Sequence, residues 1–202
     1  MTYLAHQPSP SGQCLRKALV CGLALMATLP VWSATTERPD ESFRALLREA
    51  VNDSSTFEDQ YDAQVWLVDM SHRLKRKMPD DKERLDLLKL VHAEAHRVDL
   101  PPELILAVID IESNFDRYAL SYAGARGMMQ IMPFWLKEIG RPDDNLFDVP
   151  TNLRFGCTIL RLYIDRERGD LAKGLARYNG SVGRRVYSDK VLKRLRERWY
   201  KR

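Results

Sequence analysis

An all-α fold is what this 202-residue sequence predicts, and three observations lead to it. Apolar residues recur every three or four positions through successive stretches, the period of a helix that buries one face. Strict alternation of apolar and polar residues extends over no useful length, so strands should be few and short or absent. The breaks between periodic stretches carry proline and short polar residues, the chemistry of helix starts. No internal repeat or low-complexity tract interrupts the pattern. With 45% hydrophobic and 30% charged side chains, the composition excludes a mainly disordered chain.

The first stretch reads as an address. Arg16 and Lys17 precede the uncharged run Ala18–Trp32, and small residues follow. These are the parts of a secretory signal peptide over residues 1–33, cleaved after Ser33 or, as the next choice, after Ala34. The run is shorter than the ~20 residues that span a bilayer, and Pro30 interrupts it, so no stable membrane span is expected after cleavage. A bulky Val20 before Cys21 argues against lipid attachment there. Cleavage removes Cys14 and Cys21, leaving Cys157 without a disulfide partner. Set among Phe155, Ile159, Leu162 and Tyr163 at helical spacing, Cys157 reads as a small buried residue rather than a nucleophile. The net charge of +4 shrinks with the signal, because residues 1–33 hold Arg16 and Lys17 and no acid. The remaining +2 gives no indication of nucleic-acid binding.

Residues 34–80 read as a helical extension. Glu41–Val51 is a short amphipathic stretch, and Asn52–Thr56 offers caps to the next helix. There Phe57, Tyr61, Val65 and Val68 form a stripe that Leu67, Met70 and Leu74 widen. Met78-Pro79-Asp80-Asp81 is a break and a fresh helix start. Residues 81–202 form the main unit. Leu87, Leu88, Val91, Ala95 and Val98 line one face, and Pro101-Pro102 begins the following helix. His92 and His96 stand four residues apart, as in zinc-protease helices, but the acid sits two positions after the first His instead of one. Only His6 and His72 remain as further histidines, so a solvated helix face, and no metal, is the reading. The basic tail Arg184–Arg202 carries Val191, Leu195 and Trp199 at every fourth residue, an amphipathic helix docked on a core.

Chemistry concentrates between Glu103 and Tyr178. Glu103–Ser113 is an apolar helix ending in a carboxylate. At ~100° per residue, Glu112 lies about 40° from Val108 and 20° from Ile105 around the axis. A carboxylate on an apolar stripe is costly when unpaired, and its pKa should rise toward that of a general acid. The alternative is a plain ion pair with Arg117 or Arg126. Asp110, two residues away, faces elsewhere and forms no catalytic pair with Glu112.

Further along come Ser121, then Gly124-Ala125-Arg126-Gly127-Met128-Met129-Gln130-Ile131-Met132-Pro133, then Asn152, Gly156 and Ala176-Arg177-Tyr178-Asn179-Gly180. With Glu112-Ser113-Asn114-Phe115 before it, this ordered set resembles the soluble lytic transglycosylases of the lysozyme-like superfamily, over about residues 82–195. The resemblance implies a lysozyme-like helical fold and a single catalytic acid at Glu112. It implies that Ser121 offers a hydroxyl to that acid or to a sugar. Gln130 and the backbone of Met128 and Met129 would form a sugar-binding wall, and Tyr178 and Asn179 would flank the acid. Arg177 departs from the small residue usual before that tyrosine, and Gly180-Ser181 replaces the commoner Ala-Gly. The implied reaction cleaves the β-1,4 bond between N-acetylmuramic acid and N-acetylglucosamine in peptidoglycan glycan strands and leaves 1,6-anhydromuramyl ends. It needs no cofactor. The signal peptide makes the expected location periplasmic, and a secretion-system or cell-wall partner is compatible with it. A goose-type lysozyme-like hydrolase, or a non-catalytic peptidoglycan-binding module, would share the fold.

Overall fold

A computed structural model describes residues 41–52 and 59–200. The signal-like segment 1–33 and Phe57 lie outside the described residues. Eight α-helices run through the described part: α1 (Glu41–Asn52), α2 (Gln60–Leu74), α3 (Asp81–Arg97), α4 (Pro102–Glu112), α5 (Trp135–Ile139), α6 (Val149–Arg166), α7 (Leu171–Tyr178) and α8 (Val186–Arg194). A π-helical turn, Leu195–Trp199, follows α8. Among the described residues no strand forms. Isolated bridges pair Leu120 with Arg126 and Arg126 with Ile131, within the loop between α4 and α5.

The helix starts follow capping chemistry. Asp80 accepts the Glu83 N–H at 2.7 Å and so opens α3, at the break the sequence marked. Pro102 stands in the first turn of α4, where its missing N–H costs nothing. The cap of α2 differs from expectation. Asp59, not a residue of the Asn52–Thr56 stretch, accepts from the Tyr61 N–H at 2.6 Å. The α2 stripe also differs. Tyr61 and Val65 are exposed, and the helix buries Ala63, Leu67, Met70 and Leu74 instead. That is an i, i+4, i+7, i+11 face, and α2 presents it to α3 and to the π-helical turn.

α4 is the central rod, buried continuously from Leu104 to Asp110. α3, α8 and the π-helical turn pack on it, while α1 and α2 pack on α3 and on each other. On α3, Leu87, Leu88, Val91, Ala95 and Val98 are all buried, as their spacing predicted. His92 is not solvated as expected. It meets the Trp66 ring edge-on at 5.2 Å, and burial first, then the nearby His96, pushes its pKa down to about 4. His92 is therefore neutral near pH 7. Cys157 is fully buried, and that burial raises its thiol pKa far above the ordinary range.

Gly156 on α6 has a packing reason. A β-carbon there would overlap the Met129 side chain. Gly156→Ala is expected to cost about 1–3 kcal/mol through overpacking. The check is a urea midpoint that falls while the m-value stays constant.

Candidate active site

Glu112 is the last residue of α4, partly buried where the rod meets α8. Its carboxylate accepts a hydrogen bond from the Tyr187 hydroxyl at 2.5 Å. Burial raises the Glu112 pKa, and the Tyr187 hydrogen bond and the Lys190 charge oppose that rise only in part. Arg117 and Arg126 do not pair with it. Arg117 lies over the Tyr118 ring at 5.1 Å and Arg126 over the Phe147 ring at 5.9 Å. Among the described residues no cation bonds Glu112, so the environment favours the protonated acid.

Tyr187 escaped the sequence reading. It is 8% exposed, and burial, then the Glu112 charge, holds its phenol well above the ordinary tyrosine pKa. It therefore remains a donor across the working pH range. A signal was present: Tyr187 is one turn ahead of Val191, Leu195 and Trp199 on the same stripe.

The loop after α4 is clamped to α6. Buried Asn152 accepts the Met129 N–H at 2.7 Å, and its amide donates to the Leu146 carbonyl at 2.7 Å and the Arg126 carbonyl at 2.9 Å. Tyr178 donates its hydroxyl to the Met129 carbonyl at 2.7 Å. Both polar groups of the Met129 backbone are thus occupied, and the Met128 and Met129 side chains are buried. Gln130, at a φ of 52°, donates its side-chain amide to the carbonyls of Ala119 at 3.1 Å and Gly127 at 3.0 Å. Its side-chain oxygen accepts no bond among the described residues. Ser121 is used locally. Its hydroxyl oxygen accepts the Ala125 N–H at 3.0 Å and makes no bond to Glu112. Asn179 is the exposed C-cap of α7. Arg177 turns away into an ion pair with Glu167, its Nε 2.6 Å from the carboxylate. Glu112 is thus bonded by Tyr187, while Tyr178, Asn152 and Gln130 hold the loop after α4 in place.

Asp110 faces elsewhere, as its spacing indicated, but into an ionic cluster that the sequence did not reveal. Its buried carboxylate bonds Lys77, meets Arg194 at 2.7 Å and Arg198 at 3.7 Å, and accepts from the Trp199 indole at 3.2 Å. Burial alone would raise its pKa, but the hydrogen bonds and charges of Lys77 and Arg194 outweigh it and hold the group low. The cluster fixes the C-terminal helix, and with it Tyr187, against α4.

Among the described residues no group of three or more His, Cys, Asp or Glu side chains is placed to hold a metal. No described helix is long and apolar enough to cross a membrane.

Residues 89–194 match the family model described as the transglycosylase SLT domain. A transglycosylase of Enterobacteria phage PRD1 is 30% identical over 112 residues, covering 52% of this chain and 41% of the phage protein. The membrane-bound lytic murein transglycosylase C of Yersinia pestis (strain Pestoides F) is 33% identical over 129 residues, covering 54% of this chain and 36% of that protein. In both cases the matched part is less than half the length of the relative. A crystal structure of the lytic transglycosylase Slt of Pseudomonas aeruginosa superimposes with a TM-score of 0.44 at 21% identity. The overlap covers 76% of this chain and 26% of that one.

Proposed function

This chain belongs to the transglycosylase SLT domain family, and we propose that it is a peptidoglycan lytic transglycosylase with Glu112 as its single acid and base. One observation carries the assignment: a partly buried carboxylate with a raised pKa, bonded by a neutral tyrosine and bonded by no cation among the described residues. Protonated Glu112 gives its proton to the bridging oxygen of the β-1,4 bond between N-acetylmuramic acid and N-acetylglucosamine. The glycosyl carbon becomes electron-poor, and the neighbouring N-acetyl group of the sugar stabilises it, in the substrate-assisted manner. Glu112, now ionised and steadied by the Tyr187 donor, takes the proton of the muramyl 6-hydroxyl. That oxygen bonds to C1, and a 1,6-anhydro ring closes without water. Tyr178, Asn179, Gln130, Ser121 and the loop at Met128 and Met129 border the sugar path.

Residues 81–202 form the catalytic unit in this reading, with 34–80 as a helical extension. The family match over 89–194 and the docking of α1 and α2 on α3 support it. The signal-like segment and the membrane-bound relatives support an exported, periplasmic site of action.

The test is digestion of purified sacculi with mass spectrometry of the fragments. Anhydro ends lighter by one water are expected, and hydrated reducing ends alone would replace this reading with a hydrolase. Tyr187→Phe should lower kcat by roughly ten- to a hundredfold, the loss of a hydrogen bond to a charged group. Removing that donor destabilises the carboxylate form, so the Glu112 pKa rises further. The alkaline limb of the pH profile should therefore move to higher pH. A limb that stays in place would remove Tyr187 from the machinery.

A further inference from the structure

Two basic runs far apart in the sequence meet in the fold. Arg73–Lys77 spans the end of α2, and Lys193–Arg198 spans the end of α8 and most of the π-helical turn. Reciprocal bonds join them: Arg73 donates to the Arg198 carbonyl at 2.6 Å, and Arg198 to the Arg73 carbonyl at 3.0 Å. The acids that pair with these runs are few. Asp69 holds Arg73 at 2.9 Å, Glu197 lies 3.9 Å from Lys193, and Asp110 bonds Lys77. Matched one to one, they leave Lys75, Arg76, Arg194, Arg196 and Arg198 in excess.

Asp110 absorbs little of that excess. Its two oxygens already face Lys77, Arg194, Arg198 and the Trp199 indole, and the Arg198 Nε, 3.7 Å away, is buried without an acceptor. Lys75, Arg76 and Arg196 are exposed and pair with no acid among the described residues. The sequence beyond residue 33 has a net charge of only +2, so the rest of it is net acidic and the positive charge is concentrated here. Tyr200, which follows the turn, is 55% exposed.

A concentrated basic patch with an exposed tyrosine at its edge suits a flat anionic surface. Lipid phosphates attract each nearby Lys or Arg, and a tyrosine ring settles at the headgroup level. The position fits a flat partner as well. Asp110 lies about 200° around the α4 axis from Glu112, so a surface seated at the cluster leaves the acid's side of α4 uncovered. We propose that this patch docks the protein peripherally on a bilayer that carries anionic phospholipid. The inference goes beyond the transglycosylase reading and stands without it.

The triple substitution Lys75→Gln, Arg76→Gln and Arg196→Gln removes exposed charge and leaves the Asp110 cluster intact. The exported form of the chain is sedimented with mixed phosphatidylglycerol–phosphatidylcholine vesicles, with pure phosphatidylcholine vesicles and with purified sacculi. The wild type should pellet with the anionic vesicles, stay in solution with the neutral ones, and be released by about 0.5 M salt. The triple variant should bind the anionic vesicles at least roughly tenfold more weakly and digest sacculi in solution as the wild type does. Equal binding to both kinds of vesicle, or anionic binding unchanged in the variant, would overturn the proposal. Vesicle binding absent in the wild type, with sacculus binding lost in the variant, would also overturn it and give the patch to the wall polymer.

Discussion

Glu112→Gln should abolish release of anhydro-ended fragments, a fall of at least about a thousandfold. Glutamine keeps the shape and can still accept from Tyr187, but it has no proton to give. The same substitution should raise the melting temperature at pH 7. Burial raises the folded pKa of Glu112 above its unfolded value, so the folded state holds that proton more tightly. The associated stability is complete below the unfolded pKa and is lost as pH rises through the folded pKa. A side chain that never ionises avoids that loss. The measurements are sacculus digestion and thermal denaturation of wild type and variant side by side. Retained activity would end the assignment of Glu112, whatever the melting curve shows.

Asp110→Ala is the substitution with the largest expected effect on stability, about 3–5 kcal/mol. It leaves Lys77, Arg194 and Arg198 around a site whose counter-charge is gone, and it deprives the Trp199 indole of its acceptor. In a unit of this size the melting temperature should drop by roughly 10 °C or more. The pH dependence has a definite sign. The folded pKa of Asp110 is depressed, so its contribution is complete above the unfolded value near about 3.9 and disappears as pH falls through the lower folded value. Asp110→Asn should lose this acid-dependent part at nearly constant volume. Denaturant melts at pH 3 and pH 7 check both statements. A variant as stable as the wild type at pH 7 would show that the cluster contributes nothing net.

Much of this was legible from residue order, and the exceptions have physical causes. The α3 stripe and the Pro101-Pro102 start could be read because one face of α3 is plainly apolar and proline tolerates only a few helix positions. α2 misled because it is apolar on more than one side, and periodicity cannot say which side finds a partner. Leu67, Met70 and Leu74 won over Tyr61 and Val65 because α3 and the C-terminal turn cover them. Glu112 stood out as a carboxylate on an apolar stripe. Its hydroxyl donor did not, because Tyr187 is 75 residues away in sequence. The cations around Asp110 were hidden for the same reason, since Lys77 and the Arg194–Arg198 pair reach it only through packing.

The Tyr187–Glu112 bond also sets when the chain becomes competent. Folding of α4 alone supplies the acid, but its donor and the Arg194, Arg198 and Trp199 anchors lie far along the chain, on α8 and the π-helical turn. Closing so long a loop comes late in folding, because its entropy is lost before its contacts form. A chain in which α8 has not yet docked therefore carries Glu112 without the tyrosine that steadies its ionised form. Docking of α8 on α4 is the folding step that arms the site.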